Sequence, residues 1–240
     1  MTSSVICITG ASQGIGRGIA DYFTELGHCV FNLDVKPSPD SSDTLKSLIL
    51  DITDDVACNA SFAQIGADNG RIDALINCAS IFSTLTMKPF WEIESADWDQ
   101  VINVNLKGTF NTCKSALPWL KQSSMGRIIN FSSAVVPMGR PNYLHYVSSK
   151  AGIQGLSRAM AREVGDFNIT VNAILPGATV TEVPRETVSP EQMKAMIQAR
   201  CIKRPQEVSD LTGLVGFLCS DEASFITGQS FIVDGGLVVT

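Results

Sequence analysis

The stretch that decides the fold is VICITGASQGIG, residues 5–16. Five apolar or β-branched residues run straight into Gly10, and Gly14 and Gly16 follow before a segment with helical spacing, GIGRGIADYFTELG. An unbroken run of this kind reads as a strand buried on both faces. The three glycines permit a tight strand-to-helix turn in which the backbone approaches a pyrophosphate, whose charge the amino end of the helix favours. A glycine cluster alone suits an ordinary turn equally well. The next apolar run, HCVFNLD, discriminates: it ends at Asp34, about twenty residues on, where a carboxylate can hold the hydroxyls of an adenosine ribose.

Asp34 also bears on which dinucleotide would bind. A 2'-phosphate beside this carboxylate costs about 4 kcal/mol per charge pair at 4 Å and an effective dielectric near 20. Lys36 and Arg17 are the nearest cations that could offset it, so the expected cofactor is NAD.

Similar apolar runs recur at 47–50, 73–77, 127–130, 169–174 and 230–233, with helical segments between them. This alternation predicts an α/β protein: a doubly wound Rossmann fold, about seven parallel strands with helices on both faces, forming one domain over residues 1–240. Long helices are expected over 96–121 and 143–165. The link VKPSPDSSDTLK is too short and too rich in Pro, Ser and Asp to hold a full helix. Loops 80–92 and 178–190 follow the carboxyl ends of strands, where open α/β sheets bind ligands.

With 240 residues, 45% hydrophobic, the chain can bury one large core. Its net charge of −6 and the lack of a basic cluster argue against nucleic acid or an anionic membrane as partner. The start, MTSSVICITG, has neither the basic nor the apolar region of a leader, which predicts a cytoplasmic protein. Seven cysteines without paired Cys/His spacing read as reduced thiols, and no metal site is expected.

TGASQGIG, Asp34, INCAS (76–80), NVN (103–105), FSS (131–133), YVSSK (146–150), LPG (175–177) and the closing GQSFIVDGG occur in this order. Across almost the whole chain the sequence resembles the short-chain dehydrogenase/reductase family. The resemblance implies a pyrophosphate turn at Gly10, Ser12, Gln13, Gly14, Ile15 and Gly16, ribose binding at Asp34, and adenine contacts from Asp51 and Ile52. It places Asn77 and Ala79 beside the cofactor, and Pro176, Gly177, Thr179 and Thr181 near the nicotinamide. It makes Asn105, Ser133, Tyr146 and Lys150 the catalytic group, with Asn105 helping to hold a water in a proton path from Lys150. A helix-to-helix hydrogen bond is the other reading of Asn105. Cys78 and Ser80 depart from the family's more usual asparagine and glycine.

The residues themselves support this chemistry. Tyr146 and Lys150, four apart, share a helical face. A nearby ammonium favours the phenolate of a group whose reference pKa is near 10, which suits Tyr146 to take a proton from an alcohol and return it to a ketone. Ser133, at a strand end, either orients the substrate oxygen or merely caps a turn. Tyr143 lies two turns from Lys150, and His145 is off the Tyr/Lys face, so both are expected to shape the pocket.

The resemblance puts that pocket among 81–87, 135–143 and 180–189, with Val135, Tyr143, His145 and Val183 lining it beside Ser133 and Tyr146. Glu182, Arg185 and Glu186 read either as contacts for hydroxyls or a charge, or as solvated residues of a lid. The expected activity is NAD-dependent interconversion of a secondary alcohol and a ketone or aldehyde. Alternatives are an NADP-preferring carbonyl reductase, a non-catalytic NAD-binding regulator, and an epimerase or dehydratase on the same cofactor site. Apolar residues on several faces of helix 96–121 (Val101, Val104, Phe110, Leu117) suggest subunit contacts, and the resemblance implies a homotetramer or homodimer.

Overall fold

A computed structural model describes residues 3–38, 42–184 and 187–239. Strand β1 (Val5–Thr9) leads through the glycine turn into α1 (Gly14–Glu25), then β2 (Cys29–Asp34) and β3 (Leu45–Ile49). Helix α2 (Asp55–Asn69) returns to β4 (Ala74–Asn77). Helices α3 (Ser95–Ile102) and α4 (Thr109–Leu120) precede β5 (Arg127–Phe131). The one-turn α5 (Val135–Met138) and long α6 (Leu144–Val164) lead to β6 (Thr170–Pro176). Helices α7 (Pro190–Ala199) and α8 (Ser209–Leu218) lie before β7 (Ser230–Val233).

All seven strands are parallel, in the order β3-β2-β1-β4-β5-β6-β7. This is the doubly wound Rossmann arrangement the sequence predicts. Alternate residues of each strand serve opposite faces. Val5, Cys7, Leu75, Ile128 and Val171 pack with Phe62 of α2, Ala116 of α4 and Val164 of α6. Ile6, Ile8, Ile76, Ile129 and Ile174 pack with Ile19 and Phe23 of α1 and with Leu211 and Val215 of α8. Burying both faces explains why these strands are apolar without alternation.

The chain order reverses between β1 and β4, and the crevice at their carboxyl ends is the geometric place for a ligand. The β2–β3 link carries no helix among its described residues, as its composition predicts. Strand β3 begins two residues earlier than expected, set by pairing of Val30 with Leu45.

The expected single helix 96–121 is interrupted. Residues Asn103–Gly108 form a π-helical segment between α3 and α4. A Cβ on Gly108 would fall 2.5 Å from Ile52 Cδ1, so a larger residue there would push that side chain aside. Of the four apolar residues singled out on this stretch, Val101 is buried, Leu117 packs on the core and Phe110 is exposed. All seven cysteines are unpaired. Among the described residues, no helix is long and apolar enough to cross a membrane, and no three His, Cys, Asp or Glu side chains converge as metal ligands.

Candidate active site

One cavity of about 870 Å³ follows the carboxyl edge of the sheet. At one end lies the glycine turn. Gly10 and Gly14 have φ of +70° and +63°, and a Cβ on Gly10 would sit 2.7 Å from Ala79 Cα. Only glycine lets the turn close on the exit of β4. The Gly14 N–H, at the start of α1, donates to Glu182 Oε1 at 2.7 Å.

Asp34 lines this end of the cavity, its carboxylate accepting the backbone N–H groups of Ser12 (3.1 Å) and Lys36 (3.0 Å). Gln13 lines the cavity and accepts from Lys36 Nζ at 3.2 Å. Ser12 itself does not line it: its hydroxyl donates to Lys36 O and ties the turn to the segment after β2. Asp51 and Ile52 form the wall beyond, with Asp51 Oδ1 accepting the N–H and hydroxyl of Thr53 and Ile52 O accepting Asn111 Nδ2.

Asn77 corrects an expectation. It is buried and outside the cavity lining, because the last residue of β4 points into the layer below. Its Nδ2 donates to Asn130 Oδ1 at 2.8 Å, and its Oδ1 accepts the Thr112 hydroxyl. Asn130 in turn donates to Ser157. The network joins β4, α4, β5 and α6 beneath the site, leaving Cys78, Ala79 and Ser80 to face the cavity.

Ser133, Tyr146 and Lys150 all line the middle of the cavity. Ser133 Oγ accepts the Val135 N–H at 3.3 Å, so its own proton stays available to a substrate oxygen. Lys150 Nζ donates to Phe131 O at 2.9 Å and lies 5.6 Å from the Tyr146 ring centroid. Burial lowers Lys150 from the usual lysine value to about 8. The same burial pushes the Cys78 thiol up, so it stays protonated. Tyr146 stacks on Tyr143 with centroids 4.6 Å apart, and the Tyr143 hydroxyl donates to Phe82 O.

Asn105 lies in the π-helical segment, buried and away from the cavity lining. Its Oδ1 accepts the Ile81 N–H at 2.9 Å, and its Nδ2 donates to Ile81 O and to Ser149 Oγ. The amide thus pins the backbone after β4 and bridges to α6; it makes no bond to Lys150. His145 also departs from its expected place in the pocket. One residue before Tyr146 on α6, it is rotated off the cavity and 2% exposed, with Nδ1 accepting the Tyr146 N–H at 3.0 Å. Burial holds its imidazole below the usual value.

Pro176, Gly177, Thr179 and Thr181 continue the wall, and Val135, Tyr143 and Val183 line the far end. A Cβ on Gly177 would meet Gln206 Oε1 at 2.7 Å. Arg185 and Glu186 lie outside the described residues. Sequence reasoning missed Gln192, Ala195 and Met196 of α7 and Leu237, which line the cavity, and included Arg140 only within the stretch 135–143. A signal for α7 existed: SPEQ at 189–192 forms a capping box, with Ser189 accepting the Gln192 N–H and the Gln192 side chain returning to Ser189 N.

A family model described as enoyl-(acyl carrier protein) reductase matches residues 10–238. The chain belongs to the short-chain dehydrogenase/reductase family. This short-chain dehydrogenase/reductase is 34% identical to a 3-oxoacyl-[acyl-carrier-protein] reductase of Thermotoga maritima, over 100% of this chain and 99% of the relative. It is 32% identical to the protein of the same description from Haemophilus influenzae, with both chains fully covered. The ligand-free aldohexose dehydrogenase of Thermoplasma acidophilum superposes with a TM-score of 0.91 at 28% identity, covering 99% of this chain and 97% of the other. A short-chain type dehydrogenase/reductase from Mycobacterium ulcerans shares the fold, with a TM-score of 0.90 at 24% identity over 98% and 89% of the two chains.

Proposed function

We propose that residues 1–240 act as one dinucleotide-binding and catalytic domain, an NAD-dependent oxidoreductase interconverting a secondary alcohol and a ketone or aldehyde. The observation that carries this reading is the convergence of Ser133, Tyr146 and Lys150 on a cavity whose other end holds the glycine turn and Asp34. The residues present suit the cofactor. The positive-φ Gly10 lets the turn pack directly on Ala79, helix α1 presents its amino end, and Asp34 and Asp51 line the same cavity. When bound, the nicotinamide supplies the hydride acceptor or donor.

The chain's own residues handle the proton. Ser133 donates a hydrogen bond to the substrate oxygen and stabilises charge developing there. Tyr146 takes the alcohol proton as a phenolate and returns it to the ketone oxygen in reverse. Lys150, fixed by Phe131 O, supplies the positive charge that favours the phenolate. Tyr143 covers one face of the Tyr146 ring and keeps water from it.

A second reading, reduction of 3-oxoacyl thioesters, is favoured by the full-length relatives from Thermotoga maritima and Haemophilus influenzae. A spectrophotometric screen distinguishes the two: secondary alcohols with NAD and with NADP, then simple ketones and 3-oxoacyl thioesters with the reduced cofactors. Turnover of free alcohols and ketones with the non-phosphorylated cofactor is expected. Turnover confined to thioesters would transfer the assignment to the second reading, and cofactor binding without any turnover would leave a non-catalytic NAD-binding protein.

The unpaired thiols suit a cytoplasmic enzyme. Exposed Phe110 on α4, with Phe90 and Trp91 also bare, supports a homotetramer or homodimer, to be measured by light scattering.

A further inference from the structure

We propose that Arg140 is an anchor for an anionic group on the substrate, so that the natural substrate is an oxo or hydroxy compound carrying a carboxylate or phosphate; this rests on the oxidoreductase reading above. Three cations among the described residues line the cavity: Lys36 near the glycine turn, Lys150 beside Tyr146, and Arg140 at the far end. The carboxylates among the described lining residues are Asp34 and Asp51, both at the adenosine end. The far end therefore has positive charge and no described carboxylate to balance it.

Arg140 is half-buried, and its guanidinium lies 5.6 Å from the Tyr143 ring centroid. Nη2 donates to Thr187 O and Met87 Sδ, which orients the group between the two pocket loops. Nε and Nη1 make no hydrogen bond to any described residue, and Arg140 joins no ion pair among them. A guanidinium held in a cleft with donors to spare is a ready partner for a carboxylate or phosphate. Tyr143 stands between Arg140 and Tyr146. The anion therefore belongs at the end of the substrate remote from the reacting carbonyl, several bonds away.

The test uses oxo acids paired with their methyl esters, and oxo alcohols paired with their phosphate esters. A charge-assisted hydrogen bond contributes about 1.5–3 kcal/mol, so kcat/KM for the anion should exceed that for its neutral partner by about ten- to a hundredfold, chiefly through KM. The carboxylate and phosphate arms show which anion is preferred. R140Q should bring the ratio close to one, and R140K should keep part of it. A wild-type ratio near one, or an R140Q variant that lowers both members equally, overturns the proposal and leaves Arg140 as a loop clamp. Should no carbonyl compound be turned over with either cofactor, the oxidoreductase reading fails separately. Calorimetry with glutarate and with inorganic phosphate then decides the anion site: saturable binding lost in R140Q sustains it, and its absence refutes it.

Discussion

The carboxylate of Glu182 accepts the N–H of Gly14, a contact between residues 168 apart that ties the loop after β6 to the amino end of α1. The same N–H is where the glycine turn would meet a dinucleotide's phosphates, so the side chain occupies an anion's place and must leave when one arrives. Charge at a helix amino end is worth about 0.3–1 kcal/mol when exposed. E182Q should therefore bind NADH about two- to fivefold more tightly in a fluorescence titration. Unchanged or weaker binding would show that the contact does not compete.

Asp34 accepts two backbone N–H groups and still faces the cavity, so its charge is fixed, and on the proposed reading it would meet a 2'-phosphate. D34S should raise kcat/KM with NADP by at least about tenfold, given the repulsion it removes. Kinetics with both cofactors check this. A wild-type enzyme already faster with NADP would contradict the assignment of NAD.

Tyr146 lines the cavity together with Ser133, its ring centroid 5.6 Å from Lys150 Nζ. Y146F should lower kcat by about 10²–10⁴ with little change in cofactor affinity. A variant retaining most of its activity would remove Tyr146 from proton transfer.

Lys150 should make stability depend on pH. Its folded value, about 8, lies below the usual 10.5, so the folded chain holds its proton less well than the unfolded chain. The resulting destabilisation is fully present below pH 8, at about 3 kcal/mol, and fades as pH rises from 8 to 10.5. K150M should therefore be inactive yet more stable at pH 7, even after losing the bond to Phe131 O. Urea unfolding at several pH values measures the gap between variant and wild type. A gap that stays constant from pH 7 to 10.5 would refute this account.

The sheet was legible because β1, β4, β5 and β6 are buried on both faces, which forces continuous apolar runs into the sequence. Tyr146 and Lys150 were legible because helical spacing alone puts them on one face. Asn77 and His145 were not, since one residue of phase decides whether a strand end or a helix turn faces the cavity. The π-helical segment was hidden because helical spacing continues across NVNLKG, while its contacts with Ile81 and Ile52 come from positions distant in sequence. Arg140 lay inside the expected pocket stretch 135–143, but a lone arginine after a glycine says nothing about what it would hold.

Strand β3 pairs only with β2, has a half-exposed burial pattern, and follows a link without a described helix to cover it. Such an edge opens at a lower free energy than the strands at the centre of the sheet. Its amides should exchange with deuterium early, well before those of β1 or β5. Because β3 leads directly to Asp51 and Ile52, a bound adenosine would close that edge as well as fill the cavity. The slowing of exchange in residues 45–49 on adding cofactor then reports, amide by amide, how much of the binding energy is spent on holding the sheet's outer margin shut.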